Sequence, residues 1–235
     1  MDNNLTSVRI RVFRADKSPD ECQRYIEGHR KVLEAYGVTQ VTSANLDWLK
    51  ESFTYIIMVE SATTGEALGG ARLQLTGGAI PLPIETAIDK MDPRISEFVK
   101  EKKQSGTTCE YCGLWNSRKI AGYGVGSILL VRIGIAMLSQ LNVGSIFAFC
   151  SPATVPISMS VGYSIIRSIG INGTFYYPKE DLLATALIIE DPLTLNDAEH
   201  GERDKIFDLR KNPKQRIIEH GRRGEIEVTY DLRMP

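Results

Sequence analysis

The amino-acid sequence predicts a mixed α/β fold in which helices cover both faces of one central sheet. Short segments of alternating apolar and polar residues predict strands, and longer segments with apolar residues three or four apart predict helices. Their order along the chain mixes neighbouring strand pairs with strand–helix–strand crossovers, which indicates a mixed sheet. The 235 residues suit one large domain, or one domain with an extension, and allow a substantial buried core.

The first part of the chain begins with a strand and a helix. The segment SVRIRVFRA alternates apolar and polar residues and predicts the first strand. The segment SPDE at residues 18–21 is typical of a helix start, and Gly37 is placed to end that helix. TYIIMVE and ALGGARLQLT then predict a hairpin, and PIETAIDKMDPRISEFVKEKK predicts one or two helices broken at Pro93.

The second part of the chain predicts further alternation of strands and helices up to residue 192. GTTCEYCGLW and GSIFAFC read as strands on either side of the helix GVGSILLVRIGIAMLSQL, and Pro156 lies in the first turn of a following helix. YSIIRSIG and LLATALIIED predict two more strands. Residues 192–224 carry both charge signs and predict either a solvated helix or a partly ordered linker, and GEIEVTYDLR predicts a last strand. We therefore divide the chain into a domain at 1–192 and a charged extension at 193–235.

Composition argues against several classes of function. The formal net charge is −1, so there is no overall basic field for nucleic acid. No apolar stretch reaches the roughly 18 residues that a membrane-spanning helix needs. The start MDNNLTSVRI lacks the apolar core of a signal peptide, and a cytoplasmic location is expected.

The cysteines and histidines form no recognisable metal or redox motif. Cys109 and Cys112 make a lone CxxC on a predicted strand, where a spacing of three puts the two sulfurs on opposite faces. A zinc site needs more ligands, and the sequence has no second CxxC and no close histidine pair. We expect small core residues here and no metal.

A glycine-rich loop at residues 117–126, called the glycine loop below, is the most distinctive local feature. It joins a predicted strand to a predicted helix and places glycines at alternate positions, beside Arg118 and Lys119. Free backbone N–H groups and the helix dipole at such a junction attract anions, and glycine lets a phosphate approach the backbone closely. The glycines are Gly122, Gly124 and Gly126.

Two common phosphate-binding patterns do not fit the glycine loop. The dinucleotide pattern G-x-G-x-x-G fails because the third glycine comes one position early, and the P-loop fails because no Gly-Lys-Ser/Thr follows. A second interpretation remains open, in which close packing or a tight turn requires these glycines.

The order of elements resembles the GNAT superfamily of acyl-CoA N-acyltransferases, over about residues 8 to 192. In that superfamily a loop after the fourth strand holds the coenzyme A pyrophosphate with its backbone amides. The resemblance places Gly124-Val125-Gly126-Ser127 in this role, with Ala121 where Arg or Gln is usual, and an alternative register begins at Lys119. It implies a GNAT-like, mixed and mostly antiparallel central sheet flanked by helices on both faces.

A second match to the superfamily lies downstream of the glycine loop. SIFAFCSPATVPISMSVGY ends in Gly162-Tyr163, like the strand and helix of the superfamily that end in Gly-Phe or Gly-Tyr. Many members have a tyrosine four residues before that glycine, which protonates the leaving thiolate. Here that position is Ser158.

One branch of the superfamily, the autoinducer synthases and long-chain N-acyl amino acid synthases, is similar in more segments. These are GHRKVLEAYGV, LDWL, GGARLQL and FYYPKEDLLATALIIED. The resemblance maps substrate-binding positions to Arg30, Asp47 and Arg72, and a strand glutamate to Glu110. Gly113 stands where the branch often has an arginine.

The chemistry that the resemblance implies is transfer of an acyl group from acyl-CoA to the amine of a small molecule. Glu110 would accept the amine proton, Ser158 would hold the position of the acid, and a backbone N–H near Leu114 or Trp115 would polarise the thioester carbonyl. The expected coenzyme A contacts are Leu114, Trp115, Arg118, Lys119, Gly122, Tyr123, Gly124, Val125, Gly126 and Ser127.

Each of these residues also has a structural interpretation. Glu110 is equally expected as a paired strand carboxylate. Arg72 is also expected to form a structural ion pair, either with Glu110 or with Asp47. Arg30 is also typical of a solvated helix charge. Trp115 and Tyr123 are also expected as packing residues.

The sequence leaves the donor and the activity itself open. An acyl carrier protein is an alternative donor, because the autoinducer branch uses one, and the glycine loop favours coenzyme A. A non-catalytic acyl-CoA-binding domain on the same fold is the alternative function, and a structural protein whose loop binds no phosphate is a third.

Overall fold

The computed structural model describes residues 7–35, 37–38, 41 and 44–234 of the chain. Within these ranges ten strands form one sheet. The strands are β1 Ser7–Arg14, β2 Thr54–Ser61, β3 Ala67–Leu75, β4 Thr107–Asn116, β5 Val143–Cys150, β6 Ser164–Ile165, β7 Thr174–Tyr176, β8 Leu183–Ile189, β9 Lys214–Gly221 and β10 Gly224–Asp231.

Six α-helices lie in the described ranges, and Pro93 separates the second from the third, as predicted. Short 3-10 helices form at Ala15–Lys17, Asp47–Lys50 and Arg118–Ile120. The α-helices are α1 Pro19–Ala35, α2 Pro83–Ile88, α3 Arg94–Ser105, α4 Ser127–Leu141, α5 Val155–Ser160 and α6 His200–Lys211. None of the helices in the described part of the chain is long and apolar enough to cross a membrane.

The sheet is mixed and mostly antiparallel, which confirms the predicted fold class. The strand order is β6-β8-β5-β4-β3-β2-β1-β10-β9, and β7 pairs with β8. Two neighbouring pairs are parallel, β1 with β10 and β4 with β5. The second of these follows from the crossover through α4, because a chain that returns by a helix lays its next strand parallel.

Helices cover both faces of the sheet. Helices α4 and α6 cover one face, and their apolar residues form the main core with side chains such as Ile57 and Ile146. The residues directly before or after these point to the other face, so Ile56 packs beneath α1 and Phe147 packs beneath α2 and α3. The α1 face and the α4 face are used below as names for these two sides.

The CxxC cysteines lie on opposite faces, as their spacing predicts. Cys109 belongs to the main core on the α4 face, whereas Cys112 lies opposite Arg72, whose guanidinium stacks on Trp48 on the α1 face. Both cysteines are buried, and neither forms a disulfide. Among the described residues no group of three or more His, Cys, Asp or Glu is arranged to hold a metal ion.

A bulge in β4 reverses which face its last residues point to. Cys112 pairs with Arg72 and Trp115 pairs with Gly70, so the β4 side of the ladder has one extra residue. Gly113 lies inside this interval with a φ of +58°, in the left-handed region that favours glycine. As a result Trp115 joins the cluster under α1.

The C-terminal segment differs most from its sequence-based prediction. The solvated-helix alternative is right for α6, but β9 was not predicted, because KQRIIEHG carries charges of both signs and lies at the sheet edge half exposed. The predicted strand in YSIIRSIG is limited to the two residues of β6, and β7 was not predicted. Strand β10 pairs with β1, so residues of the 193–235 extension share the central sheet. The boundary at residue 192 stays a prediction.

Candidate functional site

The parallel strands β4 and β5 separate halfway along their length. Their pairing runs from Thr107 opposite Val143 to Tyr111 opposite Ala148 and is not continued, although β4 extends to Asn116 and β5 to Cys150. The bulge at Gly113 lies at the start of this unpaired part. An opening therefore forms between the two strand ends, next to the glycine loop that leads from β4 into α4.

The N-terminus of α4 faces the glycine loop without a side-chain cap. Gly126 is its N-cap residue, and a methyl group added there would meet no atom within 4 Å. The hydroxyl of Ser127 accepts a hydrogen bond of 3.0 Å from Asn116 Nδ2, which ties the helix start to the end of β4. The first turn of a helix presents unpaired N–H groups, so this end can attract an anion.

The other two glycines pack against the chain's C-terminal hairpin. Gly122 and Gly124 have φ values of +85° and +84°. A Cβ on Gly124 would come within 2.9 Å of the His220 carbonyl oxygen, and one on Gly122 within 3.0 Å of Arg223. These contacts agree with the packing interpretation for Gly122 and Gly124, whose role as coenzyme A contacts stays a prediction, whereas Gly126 has open space beside it.

The side chains between these glycines point inward. Tyr123 and Val125 are buried in the main core, at 4% and 0% exposure. Only the backbone of these two residues is thus placed to contact a ligand. Leu114, half-buried at the bulge, also packs against the main core.

Arg118 and Lys119 are exposed and line a cleft of about 620 Å³ between α1 and the end of β4. Lys119 Nζ lies 2.7 Å from both carboxylate oxygens of Glu66. Trp115 forms the wall of this cleft, and its ring leaves no room for a Cβ on Gly28 of α1. The cleft lies on the α1 face.

Glu110 is buried on the α1 face, beneath the start of α2. Its Oε2 accepts a hydrogen bond of 2.6 Å from the Ile84 N–H, and the residue is 2% exposed. Burial raises the pKa of its carboxyl to about 8, although the Ile84 N–H and the Arg72 charge act to lower it. Glu110 lines neither of the two clefts beside α1. Glu110 is thus a buried carboxyl bonded to the backbone of α2 in this structure, and its catalytic role stays a prediction.

Two of the three predicted substrate-binding residues lie close to a second cleft, of about 300 Å³, on the other side of α1. Arg30 lines this cleft, 3.8 Å from Glu34. Arg72 is buried with its guanidinium 4.8 Å from the ring centre of Trp48, which is part of the cleft wall. The third, Asp47, is exposed, and its carboxylate accepts a hydrogen bond from Asn45.

Ser158 is buried in α5 near the end of β5. Its Oγ lies 3.7 Å from the Sγ of Cys150, the last residue of β5. Burial raises the pKa of the Cys150 thiol, so the sulfur keeps its proton at neutral pH. The two side chains place a hydroxyl and a protonated thiol beside the unpaired end of β5.

Sequence reasoning missed Tyr25 and His29 of α1, which line the smaller cleft, and Cys150 at the end of β5, which lies beside Ser158. The Tyr25 hydroxyl donates a hydrogen bond of 2.7 Å to the Gly113 carbonyl and fills the space that a side chain on Gly113 would need. An arginine at position 113, or any other side chain, would overlap this hydroxyl. Burial, and then the Arg72 charge, lowers the pKa of His29 to about 4. The four-residue spacing of Tyr25 and His29 was the available signal, because it places both on one helix face.

Comparison of the sequence with family models and with curated proteins gives no match. Solved structures do match. FeeM, an N-acyl amino acid synthase from uncultured soil microbes, aligns with a TM-score of 0.60 and 14% identity over 79% of this chain and 92% of FeeM. ElaA from Escherichia coli aligns with a TM-score of 0.54 and 10% identity, over 78% and 99%. MesI, a CoA-dependent acyl-homoserine lactone synthase, aligns with a TM-score of 0.52 and 14% identity, over 85% and 95%. The protein therefore has the GNAT-like fold that its sequence predicts.

Proposed function

We propose that this protein is an N-acyltransferase that moves an acyl group from acyl-CoA to the amine of a small molecule such as an amino acid. The observation that carries the proposal is the opening between β4 and β5 beside the glycine loop and the uncapped start of α4. The similarity to FeeM and MesI supports the reaction class and the choice of an amino-acid-like acceptor.

The opening suits the pantetheine arm of the donor. A strand edge that has lost its neighbour offers backbone groups to an extended amide-containing chain. The diphosphate of coenzyme A would then reach the N-terminus of α4, where Gly126 leaves room for it. A carrier-protein donor shares the pantetheine but has no adenosine diphosphate, so an anion site at this position favours coenzyme A.

Amide formation needs a neutral amine, a polarised carbonyl and a stabilised leaving thiolate. The amine nitrogen attacks the thioester carbon, the C–S bond breaks, and the amine gives one proton to Glu110 in its ionised form. A backbone N–H near Leu114 or Trp115 polarises the carbonyl oxygen. The leaving thiolate takes a proton from the Ser158 hydroxyl or from the Cys150 thiol beside it, and the group that gave up the proton regains one from solvent.

A burial-raised pKa of about 8 suits a general base that works in mildly alkaline solution. Access to Glu110 requires the Ile84 N–H to release its carboxylate, because the group is covered by α2 in this structure. We therefore expect kcat/KM to rise with pH up to about 8 and Glu110→Gln to remove most of the turnover.

The test is a turnover assay with acyl-CoA donors and a panel of amino acids and other small amines, in which release of free thiol is measured. Thiol release that depends on the amine supports the proposal. Tight coenzyme A binding without thiol release over the whole panel would support the alternative, a non-catalytic acyl-CoA-binding domain. The buried Glu110, and Ser158 in the place of a tyrosine, are the observations that favour that alternative.

A glycine variant tests the position of the diphosphate. Gly126→Ala adds a methyl group that meets no protein atom within 4 Å, so the fold should be unaffected. We expect the melting temperature to stay unchanged and the KM for acyl-CoA to rise, whereas the KM for acyl-pantetheine stays constant. An unchanged KM for acyl-CoA would place the diphosphate elsewhere.

A further inference from the structure

The hairpin of β9 and β10 ends in a turn that carries two positive charges. Its two turn residues are Arg222 and Arg223, between Gly221 and Gly224, which pair with each other. Neither arginine has a positive φ, so this turn avoids the left-handed angles that would call for Asn, Asp or Gly. Its geometry therefore permits arginine at both positions but does not require it. Residues 220–224 are called the hairpin tip below.

The hairpin tip contacts the glycine loop through its backbone. The Arg223 N–H donates a hydrogen bond of 2.9 Å to the Gly122 carbonyl oxygen. Gly221 lies directly against the backbone of Gly122, Tyr123 and Gly124, so that any side chain there would overlap these atoms.

Both partners in this contact need glycine. A Cβ on Gly124 would come within 2.9 Å of the His220 carbonyl oxygen, which is closer than such atoms approach in folded proteins. The loop and the tip thus fit each other at a distance that only unsubstituted backbone allows. This contact explains the alternate spacing of Gly122 and Gly124 without a ligand.

The Arg223 side chain adds a second attachment. Its methylene groups lie over Gly122, and its guanidinium stacks on the ring of Tyr123 at 4.9 Å from the ring centre. Tyr123 is itself buried in the main core. Arg223 therefore links the hairpin tip, the glycine loop and the core of the protein.

From these contacts we infer that the hairpin tip is a positioning element for the donor site, and that Arg223 is its positioning residue. The inference rests on the proposed function, because it takes the glycine loop and the start of α4 as the place of the donor diphosphate. A loop with two left-handed glycines loses much conformational entropy when it becomes ordered. The hairpin tip orders it in advance, so that diphosphate binding does not have to.

The experiment compares two neighbouring arginines and two donors. Arg223→Ala removes the stacking contact, and Arg222→Ala is the matched control, because it removes the same charge from the same turn but none of the contacts described above. Acyl-CoA carries the diphosphate, and acyl-pantetheine does not. Melting curves check that both variants fold.

The expected result for Arg223→Ala is a rise of about tenfold in the KM for acyl-CoA, with the KM for acyl-pantetheine and kcat within about twofold of the wild type. Arg222→Ala should leave both KM values within about twofold. Equal losses in the two variants would overturn the inference, since they would indicate a simple charge effect. An equal rise in KM for both donors, or none in either, would overturn it as well.

A second measurement separates this inference from the proposed function. Amide hydrogen exchange at residues 122–126 should be faster in Arg223→Ala than in Arg222→Ala, whether or not the wild type turns over substrate. If the wild type releases no thiol but this difference is found, the proposed function fails, whereas the ordering of the glycine loop by Arg223 stands. Equal exchange in the two variants overturns the positioning role even where the wild type is active.

Discussion

Replacing Glu110 by glutamine should change how the stability of the protein depends on pH. The carboxyl has a pKa of about 8 in the folded protein against an ordinary value of 4.5, because it is buried. The folded state therefore keeps a proton that the unfolded state gives up between these two values. The contribution of this carboxyl to the free energy of unfolding is therefore fully present below pH 4.5 and is lost as the pH rises to about 8.

The size of the effect follows from the two pKa values. A tenfold change in proton affinity is worth about 1.4 kcal/mol. The difference between about 8 and 4.5 corresponds to roughly 5 kcal/mol of folding free energy lost by the wild type across this window. Glutamine has no proton to lose, and its carbonyl oxygen can still accept the hydrogen bond from the Ile84 N–H.

The assay is urea unfolding at several pH values from 4.5 to 9, followed by tryptophan fluorescence, since both Trp48 and Trp115 are buried. The free energy of unfolding of Glu110→Gln, relative to the wild type, should rise by roughly 5 kcal/mol over this range. Glu97→Gln is the control, because it neutralises an exposed carboxylate on α3. A constant difference between Glu110→Gln and the wild type would refute the argument that burial holds the proton on this carboxyl.

Three further substitutions test contacts of α1 and α4, and a fourth, in α6, is the control for one of them. His29→Gln should reduce the loss of stability on acidification from about pH 6.5 to 4. A histidine with a lowered pKa stays neutral in the folded state, whereas the unfolded chain binds the proton. Urea unfolding at both pH values measures the loss, and an unchanged loss in the variant would count against this reasoning. Gly134→Ala should destabilise the protein by about 1–3 kcal/mol, because its methyl group would overlap the ring of Tyr111. Gly201→Ala is the control: it has open space and should stabilise the protein by about 0.5 kcal/mol. Thermal unfolding compares the two variants, and equal effects would contradict the packing argument. Tyr25→Phe removes the hydrogen bond to the β4 bulge and should cost about 1 kcal/mol in the same assay; an unchanged melting temperature would show that this bond is not needed.

Much of the fold could be predicted from the sequence, because its strands show a regular period. The alternation in SVRIRVFRA and the break at Pro93 are local signals, and both agree with the structure. Strand β9 carries a charged residue at many positions and pairs at one end of the sheet order, so its partner, rather than its own apolar pattern, makes it a strand.

The candidate site was predictable only where its residues have a local pattern. The glycine loop has one, and the structure places it at the end of β4 as expected. The bulge at Gly113 has none, because the residue that holds it by a hydrogen bond, Tyr25, lies on a helix far away in the sequence. The contact between Gly124 and His220 likewise joins segments far apart in the chain, and no local spacing in the sequence predicts it.

The parallel pairing of β1 with β10 has a consequence for the order of folding. It joins Ser7 to Glu227, so these strands meet only after nearly the whole chain has been brought together. Contacts between such distant segments have a high entropic cost of loop closure and form slowly. We expect β1 and β10 to pair late, after the local β2–β3 hairpin, and pulse-labelled hydrogen exchange during refolding can order the two events. The glycine loop gains its hairpin contact only in that late step, so any capacity to bind a donor would be among the last properties that the folding chain acquires.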